Sequence, residues 1–280
     1  MRKTLLVMGG DRRMEYAAER LSDCFEVFTY GFSQSPPIWE LKQADVLVLP
    51  YLSLSGEYLN TPLLSQKIPA VSALDLLKFG GTVFGGGLDD AFLSYCAERC
   101  AKVHDFFDDE LLTADNARLT AEGALETVLR ETDFSVEGAK VLVLGFGRVG
   151  KACAAAFSAL GAEVTVSARS LSARENARNA GYRACEFISL GALKRADVII
   201  NTVPEKVLLR KDLEKIKKDA FILDLASKPF GTDFDAAKDL GLKAETAPGL
   251  PGKTAPKTAG SFIAEAIIRL TKEDARNDLS

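Results

Sequence analysis

The stretch that decides the fold is Val141-Leu142-Val143-Leu144-Gly145-Phe146-Gly147-Arg148-Val149-Gly150-Lys151-Ala152. Its opening apolar run reads as a buried strand, its glycines as a turn, and Lys151 to Leu160 as an alanine-rich helix, with a second strand expected at Glu163–Ser167. Gly145, Gly147 and Gly150 fit G-x-G-x-x-G, with Arg148 and Val149 inside the pattern. In such a turn the first glycine permits the tight bend. The second lets backbone N–H groups approach a pyrophosphate, and the third lets helix and strand pack closely. The helix start also offers unpaired N–H groups and the positive end of its dipole to phosphates. The alternative is a tight turn with no ligand; the flanking strands and helix favour a dinucleotide site.

The end of the second strand bears on the type of cofactor. An NAD site carries Asp or Glu about 20 residues past the glycines, bonding the ribose hydroxyls. Here the chain reads Val164-Thr165-Val166-Ser167-Ala168-Arg169-Ser170. Ser167 or Ala168 stands in the acid's place, and Arg169 and Ser170 follow. A carboxylate would repel a 2′-phosphate, whereas arginine meets one with a planar fork of donors. The residues therefore predict NADP rather than NAD. The competing reading leaves Arg169 stacked on the adenine or in solvent.

At 280 residues the chain suits two domains. A net charge of −4 implies no broad basic surface for nucleic acid. No apolar run approaches the roughly 20 residues of a membrane helix, and no signal-peptide pattern is visible, so a cytoplasmic location is expected. Five cysteines, Cys24, Cys96, Cys100, Cys153 and Cys185, make an odd count that argues against a disulfide framework. Cys96, Cys100 and the single histidine, His104, lack a second ligand pair, so ordinary buried thiols are expected and no metal site.

Strands and helices alternate in both halves. Before the fingerprint come a strand ending in Gly9-Gly10-Asp11, a helix over Arg12–Leu21, and strands near Glu26–Tyr30, Asp45–Leu49 and Thr82–Gly85. Ser72 and Asp75 suggest a helix over Ala73–Phe79, and Asp89 one running to Cys100. Past the fingerprint, Asp197–Asn201, Phe221–Leu225 and Leu242–Glu245 read as strands. The expected fold is α/β: two Rossmann-like domains with a central cleft, linked by long helices. The first comprises 1–114 with a C-terminal helix within 255–272, centred on Thr258–Leu270. A linking helix spans 115–132, the nucleotide domain 133–254, and a charged, frayed tail 273–280. Ligands sit at strand carboxyl ends in such sheets. In the second domain these carry Gly145, Arg169, Asn201-Thr202-Val203-Pro204 and Leu225-Ala226-Ser227, of which all but Asn201 are the expected cofactor contacts. Pro204 and Pro248 would end strands and shape loops over the cofactor.

Several segments together resemble the dipicolinate synthase A-subunit family of spore-forming bacteria. They are G-G-D-R-R at Gly9–Arg13, T-A-E-G at Thr120–Gly123 with Asn116 ahead of it, and I-N-T-V-P at Ile200–Pro204. More specific are L-D-L-A-S-K-P-F-G-T-D-F at Leu223–Phe234 and A-P-G-L-P-G-K-T-A-P-K-T-A-G at Ala247–Gly260. Lys228 stands where the family pattern has Arg, Phe230 where it has Gly, and Lys253-Thr254 where it is more often apolar. The resemblance covers nearly the whole chain. It implies NADP-dependent oxidation of dihydrodipicolinate, or of its hydrated 4-hydroxy-tetrahydro precursor after water loss, to dipicolinate. It also implies a B-subunit partner and a place in the mother-cell cytoplasm during sporulation.

A flat substrate with two carboxylates needs cationic anchors and a proton acceptor. Arg13 is the first anchor expected, through its guanidinium fork, with Asp11 as its orienting partner or as a base; a purely structural pair is the alternative. Lys257, where the last helix starts beside Thr258, is the second. Asn116 and Thr120 are four residues apart and share a helix face, suited to bonding the substrate or its ring nitrogen. Glu122 points elsewhere, and a salt bridge would suit it as well. The histidine acid–base of 2-hydroxyacid dehydrogenases has no counterpart in the second half. A shikimate- or amino-acid-dehydrogenase-like enzyme and a non-catalytic NADP-binding protein remain open, and a homodimer is expected.

Overall fold

The apolar run Leu5-Leu6-Val7-Met8 is continuous rather than alternating, which suits a strand covered on both faces. A computed structural model, which describes residues 2–32, 40–64 and 66–277, forms it as β1 (Thr4–Met8). The chain divides into two compact units, Met1–Asp115 with Ala255–Ser280, and Asn116–Thr254.

In the first unit β1 ends in Gly9 and Gly10, at φ of +70° and +97°, a conformation glycine adopts without steric cost. Asp11 caps α1 (Arg12–Leu21) by accepting from the Arg13 N–H. There follow β2 (Glu26–Tyr30), β3 (Ala44–Val48), a hairpin of β4 (Leu54–Ser55) and β5 (Tyr58–Leu59), and α2 (Ala70–Ala73) with a 3₁₀ turn at Leu74–Leu76. Then come β6 (Leu77–Gly85), α3 (Asp90–Glu98), capped by Asp89, β7 (Lys102–Asp105) and α4 (Glu110–Glu131). The sheet runs β2-β1-β3-β6-β7, all parallel. Setting the hairpin aside, this is the flavodoxin-type order, whose switch point lies between β1 and β3.

The helix expected over Ala73–Phe79 is replaced by α2, the 3₁₀ turn and the start of β6. Leu77 is buried and pairs with Ala44 before a register shift, so strand pairing outweighs the local capping signal. Phe79 is left 75% exposed. The last helix is longer than expected: α11 spans Pro256–Asn277, beyond Leu270 at its C-terminal end. Residues 278–280 of the expected tail lie outside the described residues. α11 packs on α1 through Gly260, where an added Cβ would stand 2.4 Å from the Arg13 carbonyl oxygen. Ile263, Ala264 and Ile267 of α11 join the core of the first unit beside Leu5, Val7 and Met14.

The second unit alternates strand and helix. Its elements are β8 (Lys140–Leu144), α5 (Arg148–Ala159), β9 (Glu163–Ala168), α6 (Leu171–Asn179), β10 (Arg183–Glu186) and α7 (Leu190–Leu193). They continue with β11 (Val198–Asn201), α8 (Arg210–Leu213), β12 (Phe221–Asp224), α9 (Phe234–Asp239), β13 (Lys243–Thr246) and α10 (Leu250–Thr254). The strand order β10-β9-β8-β11-β12-β13, all parallel, is that of a dinucleotide-binding sheet. Val141 and Val143 face one core with Phe157 of α5 and Val128 of α4. Leu142 and Leu144 face the other, with Leu193 and Leu213. That split is the two-residue period of a strand covered on both sides. The order reverses between β8 and β11, which places the ligand crevice at their carboxyl ends.

Candidate cofactor and substrate sites

The three fingerprint glycines do different work. Gly145 has φ +92°, and a Cβ there would lie 2.6 Å from Thr202 Oγ1. A Cβ on Gly150 would lie 2.4 Å from the Gly145 carbonyl oxygen. Both are thus required by the packing of β8, α5 and the loop after β11. Gly147 differs. It caps α5 without a side-chain bond, and a Cβ built on it meets no atom within 4 Å. Nothing inside the protein demands a glycine there, and the space stays clear beside a helix N-terminus. That is the cradle a pyrophosphate needs, so the residues fit a dinucleotide. Arg148 is exposed and Val149 half-buried at the same helix start.

Around this turn the loops are tied down by Asn201, which the sequence places at a strand end, and by Asp224, which sequence reasoning did not single out. Asn201 is fully buried. Its Nδ2 donates to the Val203 carbonyl (3.0 Å) and to Asp224 Oδ1 (2.9 Å), and its Oδ1 accepts from Val203 N–H (3.1 Å). Asp224 also accepts from Ala226 N–H at Oδ1, and from Gly231 N–H, Thr232 N–H and Thr232 Oγ1 at Oδ2. One buried carboxylate therefore shapes the loop that carries Leu225, Ala226 and Ser227. The hint was the pair of aspartates in L-D-L and T-D-F; which one is buried depends chiefly on contacts spanning seven or more residues. Thr202, expected to touch cofactor, gives its hydroxyl to the Leu144 carbonyl (2.8 Å), and Pro204 and Ser227 are exposed. Phe230, where the family pattern has glycine, holds φ +62°, a left-handed conformation that costs a bulky side chain about 1 to 2 kcal/mol.

Arg169 lies at the end of β9, its Nη2 donating to Glu205 Oε2 at 2.7 Å and its guanidinium 4.9 Å from the Phe187 ring centre. Glu205 is held below the usual carboxylate range by that hydrogen bond and by the arginine's charge. Arg174 also escaped sequence reasoning: its Nη1 donates to the carbonyls of Ala168 and Arg169. Ser170 caps α6, accepting from Ala173 N–H at 3.2 Å.

In the first unit Arg13 is 8% exposed. Its Nε and Nη2 grip both oxygens of Asp11 (2.8 to 3.1 Å), and its guanidinium sits 4.9 Å from the Tyr51 ring centre. Burial raises the Asp11 pKa, but Arg13's hydrogen bonds and charge outweigh it, so the carboxyl stays below its ordinary range. Lys257, in the first turn of α11, is exposed. On α4, Thr120 Oγ1 donates to the Asn116 carbonyl at 2.8 Å, and the Asn116 side chain has no hydrogen bond among the described residues. Glu122 is exposed and forms no ion pair there.

The thiols divide. Cys96 and Cys153 are buried and their pKa values are pushed up to about 11 and about 12 by desolvation. Cys24 and Cys100 are exposed; for Cys100 this departs from the buried setting expected of it, because it falls beyond the end of α3. His104 stacks on Phe84 and pairs with Asp274 at 2.9 Å. Among the described residues no cluster of three metal-ligating side chains occurs, and no helix is long and apolar enough to cross a membrane.

The profile of the S-adenosyl-L-homocysteine hydrolase NAD-binding domain matches residues 117–247. The A subunit of dipicolinate synthase from Bacillus subtilis (strain 168) is 32% identical over 285 residues, covering 96% of each chain. The chain belongs to the dipicolinate synthase A-subunit family. The crystal structure of the same synthase's A chain from Bacillus subtilis superposes with a TM-score of 0.87 at 31% identity, covering 99% of this chain and 98% of that one. That of the A subunit from Bacillus halodurans gives 0.86 at 30%, covering 96% and 97%. The second unit is accordingly a nicotinamide-dinucleotide domain of the NAD(P) type, and the name of the family implies a partner.

Proposed function

We propose that this protein oxidises dihydrodipicolinate, taken as such or formed by water loss from 4-hydroxy-tetrahydrodipicolinate, to dipicolinate with NADP⁺. The substrate gives up a hydride and a proton as its ring becomes aromatic. Bound NADP⁺ supplies the hydride acceptor. The observation that carries this reading is the clear space at Gly147 beside the α5 N-terminus, in a chain of this family.

Gly145, Gly147, Val149 and Gly150 would hold the pyrophosphate, and Arg169 the 2′-phosphate. Asn201 and Asp224 would keep Val203 and Ala226 in place against the cofactor. In the first unit, Arg13 spends its Nε–Nη2 edge on Asp11. The Nη1–Nη2 edge remains for a substrate carboxylate, which it would meet in bidentate fashion. A depressed carboxyl with both oxygens engaged is a poor base, so Asp11 orients Arg13 rather than accepting the proton. Lys257 is assigned to the second carboxylate, Asn116 and Thr120 to the ring nitrogen and its proton.

A homodimer, partnership with the family's B subunit, and the mother-cell cytoplasm of a sporulating bacterium complete the proposal. The test supplies the hydroxytetrahydrodipicolinate and NADP⁺ to the purified chain, with and without the B protein, and follows NADPH absorbance and dipicolinate. Formation of both supports the proposal. Unreduced NADP⁺ in both mixtures overturns it.

A further inference from the structure

The end of β9 lacks the acid that an NAD site places there. Ser167 is buried, its Oγ accepting from Ile188 N–H at 2.9 Å and donating to the Glu186 carbonyl, and Ala168 is buried beside it. An acid is nonetheless present at this spot, delivered by the loop after β11. Glu205 reaches Arg169 across 36 positions of sequence. Phe187 backs the guanidinium, and both members of the pair are open to solvent, Arg169 56% and Glu205 61% exposed.

We propose that Glu205 is a specificity-determining residue of the nucleotide site, competing with the 2′-phosphate of NADP⁺ for the Arg169 guanidinium. The inference rests on the assignment of Arg169 to that phosphate. The physics is a contest between two anions for one cation. A 2′-phosphate drawn to Arg169 meets a carboxylate already seated there, and the like charges repel. A ribose 2′-hydroxyl meets no such opposition, because it can donate to the same carboxylate. Glu205, an exposed carboxylate ionised at neutral pH and held further below its usual range by its arginine partner, therefore narrows the preference for NADP⁺ that Arg169 creates. Arg169 sets the sign of the discrimination and Glu205 trims its size. Because both groups are exposed, added salt should weaken their pairing.

The experiment measures dissociation constants of NADP⁺ and NAD⁺ for the full chain and for the Glu205→Gln, Arg169→Ala and doubly substituted proteins. Both side chains lie on the surface, so folding is not at stake. Glu205→Gln should tighten NADP⁺ by about threefold to fivefold, the scale of an exposed ion pair, and leave NAD⁺ unchanged or weaker. Arg169→Ala should weaken NADP⁺ and not NAD⁺. If Arg169→Ala is selective while Glu205→Gln changes neither cofactor, changes both by one factor, or weakens NADP⁺, the competition is disproved and the phosphate assignment stands. If Arg169→Ala affects both cofactors equally, the phosphate assignment fails and the competition falls with it.

Discussion

Asn201 and Asp224 meet side chain to side chain at 2.9 Å, both buried, at the carboxyl ends of neighbouring strands β11 and β12. Each then turns to the backbone of the loop that follows its strand: Asn201 to Val203, Asp224 to Ala226, Gly231 and Thr232. Two loops at the edge of the cofactor crevice thus share one polar hub. Such a hub is worth most when every member is satisfied, since each orphaned buried donor is costly.

Asp224→Ala orphans several buried donors at once. The expected cost, read from urea denaturation, is about 3 kcal/mol or more of unfolding free energy, since each orphaned buried donor costs about 1 to 3 kcal/mol. Asn201→Asp would set a second acid against Asp224, and about 2 kcal/mol or more should be lost. Asn201→Ser, which replaces the amide with a shorter hydroxyl that can still donate and accept one hydrogen bond, should remain folded and bind NADP⁺ more weakly without altering the substrate KM. Parallel changes in both constants would count against a loop-positioning role.

Gly147 offers a separation of stability from binding. A Cβ there meets no protein atom and the backbone φ of −78° suits any residue. Gly147→Ala should lower the melting temperature only slightly, through the weaker helix cap, while weakening dinucleotide binding by about tenfold or more, through loss of the approach to the pyrophosphate. Undiminished affinity would show that the clear space is not where the phosphates lie.

Arg13→Lys keeps the charge but loses the two-edged fork that grips Asp11 and presents a second edge. The expected result is a fall in kcat/KM for the substrate of about tenfold to a hundredfold with the NADP⁺ dissociation constant unchanged. Steady-state kinetics with each substrate varied in turn distinguish this from a general loss of fold.

Acid sensitivity follows from Asp45, which ties β3 to β1. Its Oδ2 accepts from Thr4 N–H and Oγ1, and its Oδ1 from Lys78 Nζ at 2.7 Å. Partial burial raises its pKa, but those hydrogen bonds and the lysine charge outweigh it and hold the value at about 2 against an ordinary 3.8. A carboxyl depressed in the folded state stabilises above its unfolded pKa, and the contribution disappears as pH falls through the folded one. Asp45→Asn should therefore cost about 1 kcal/mol at neutral pH, given its solvent exposure. The difference from the unsubstituted protein should close as pH falls from 3.8 towards 2, checked by urea midpoints across that range.

What could be read from residues alone was whatever is written locally. The run Val141–Gly150 announced strand, turn and helix because the three glycines and the apolar quartet are adjacent. The limits of α1, Arg12 and Leu21, are those of the helix pattern read from the residues, which sits wholly within one short stretch. Leu77 was misjudged because its strand partner Ala44 lies far away in sequence, while Ser72 and Asp75 are close by. The same reason hid the counter-ion of Arg169, which comes from the loop after β11, and the role of Asp224, whose donors are spread from Asn201 to Thr232. Arg13 stands out in the sequence by its place after a glycine turn, and its pairing with Asp11, one of the two readings the residues offer, is local. Hydrogen bonds between segments that only folding brings together carry no signature in a single chain.

The return of α11 to the first unit sets an order of assembly on the ribosome. Residues 116–254 form one uninterrupted stretch and possess their own core as soon as they emerge. The opening unit has no such independence: Ile263, Ala264 and Ile267 are translated after residues 116–254, yet fill the space beside Leu5 and Met14. The part of the polypeptide made first is thus completed only after the part made second, and during that interval β1 and α1 must wait with an apolar flank uncovered.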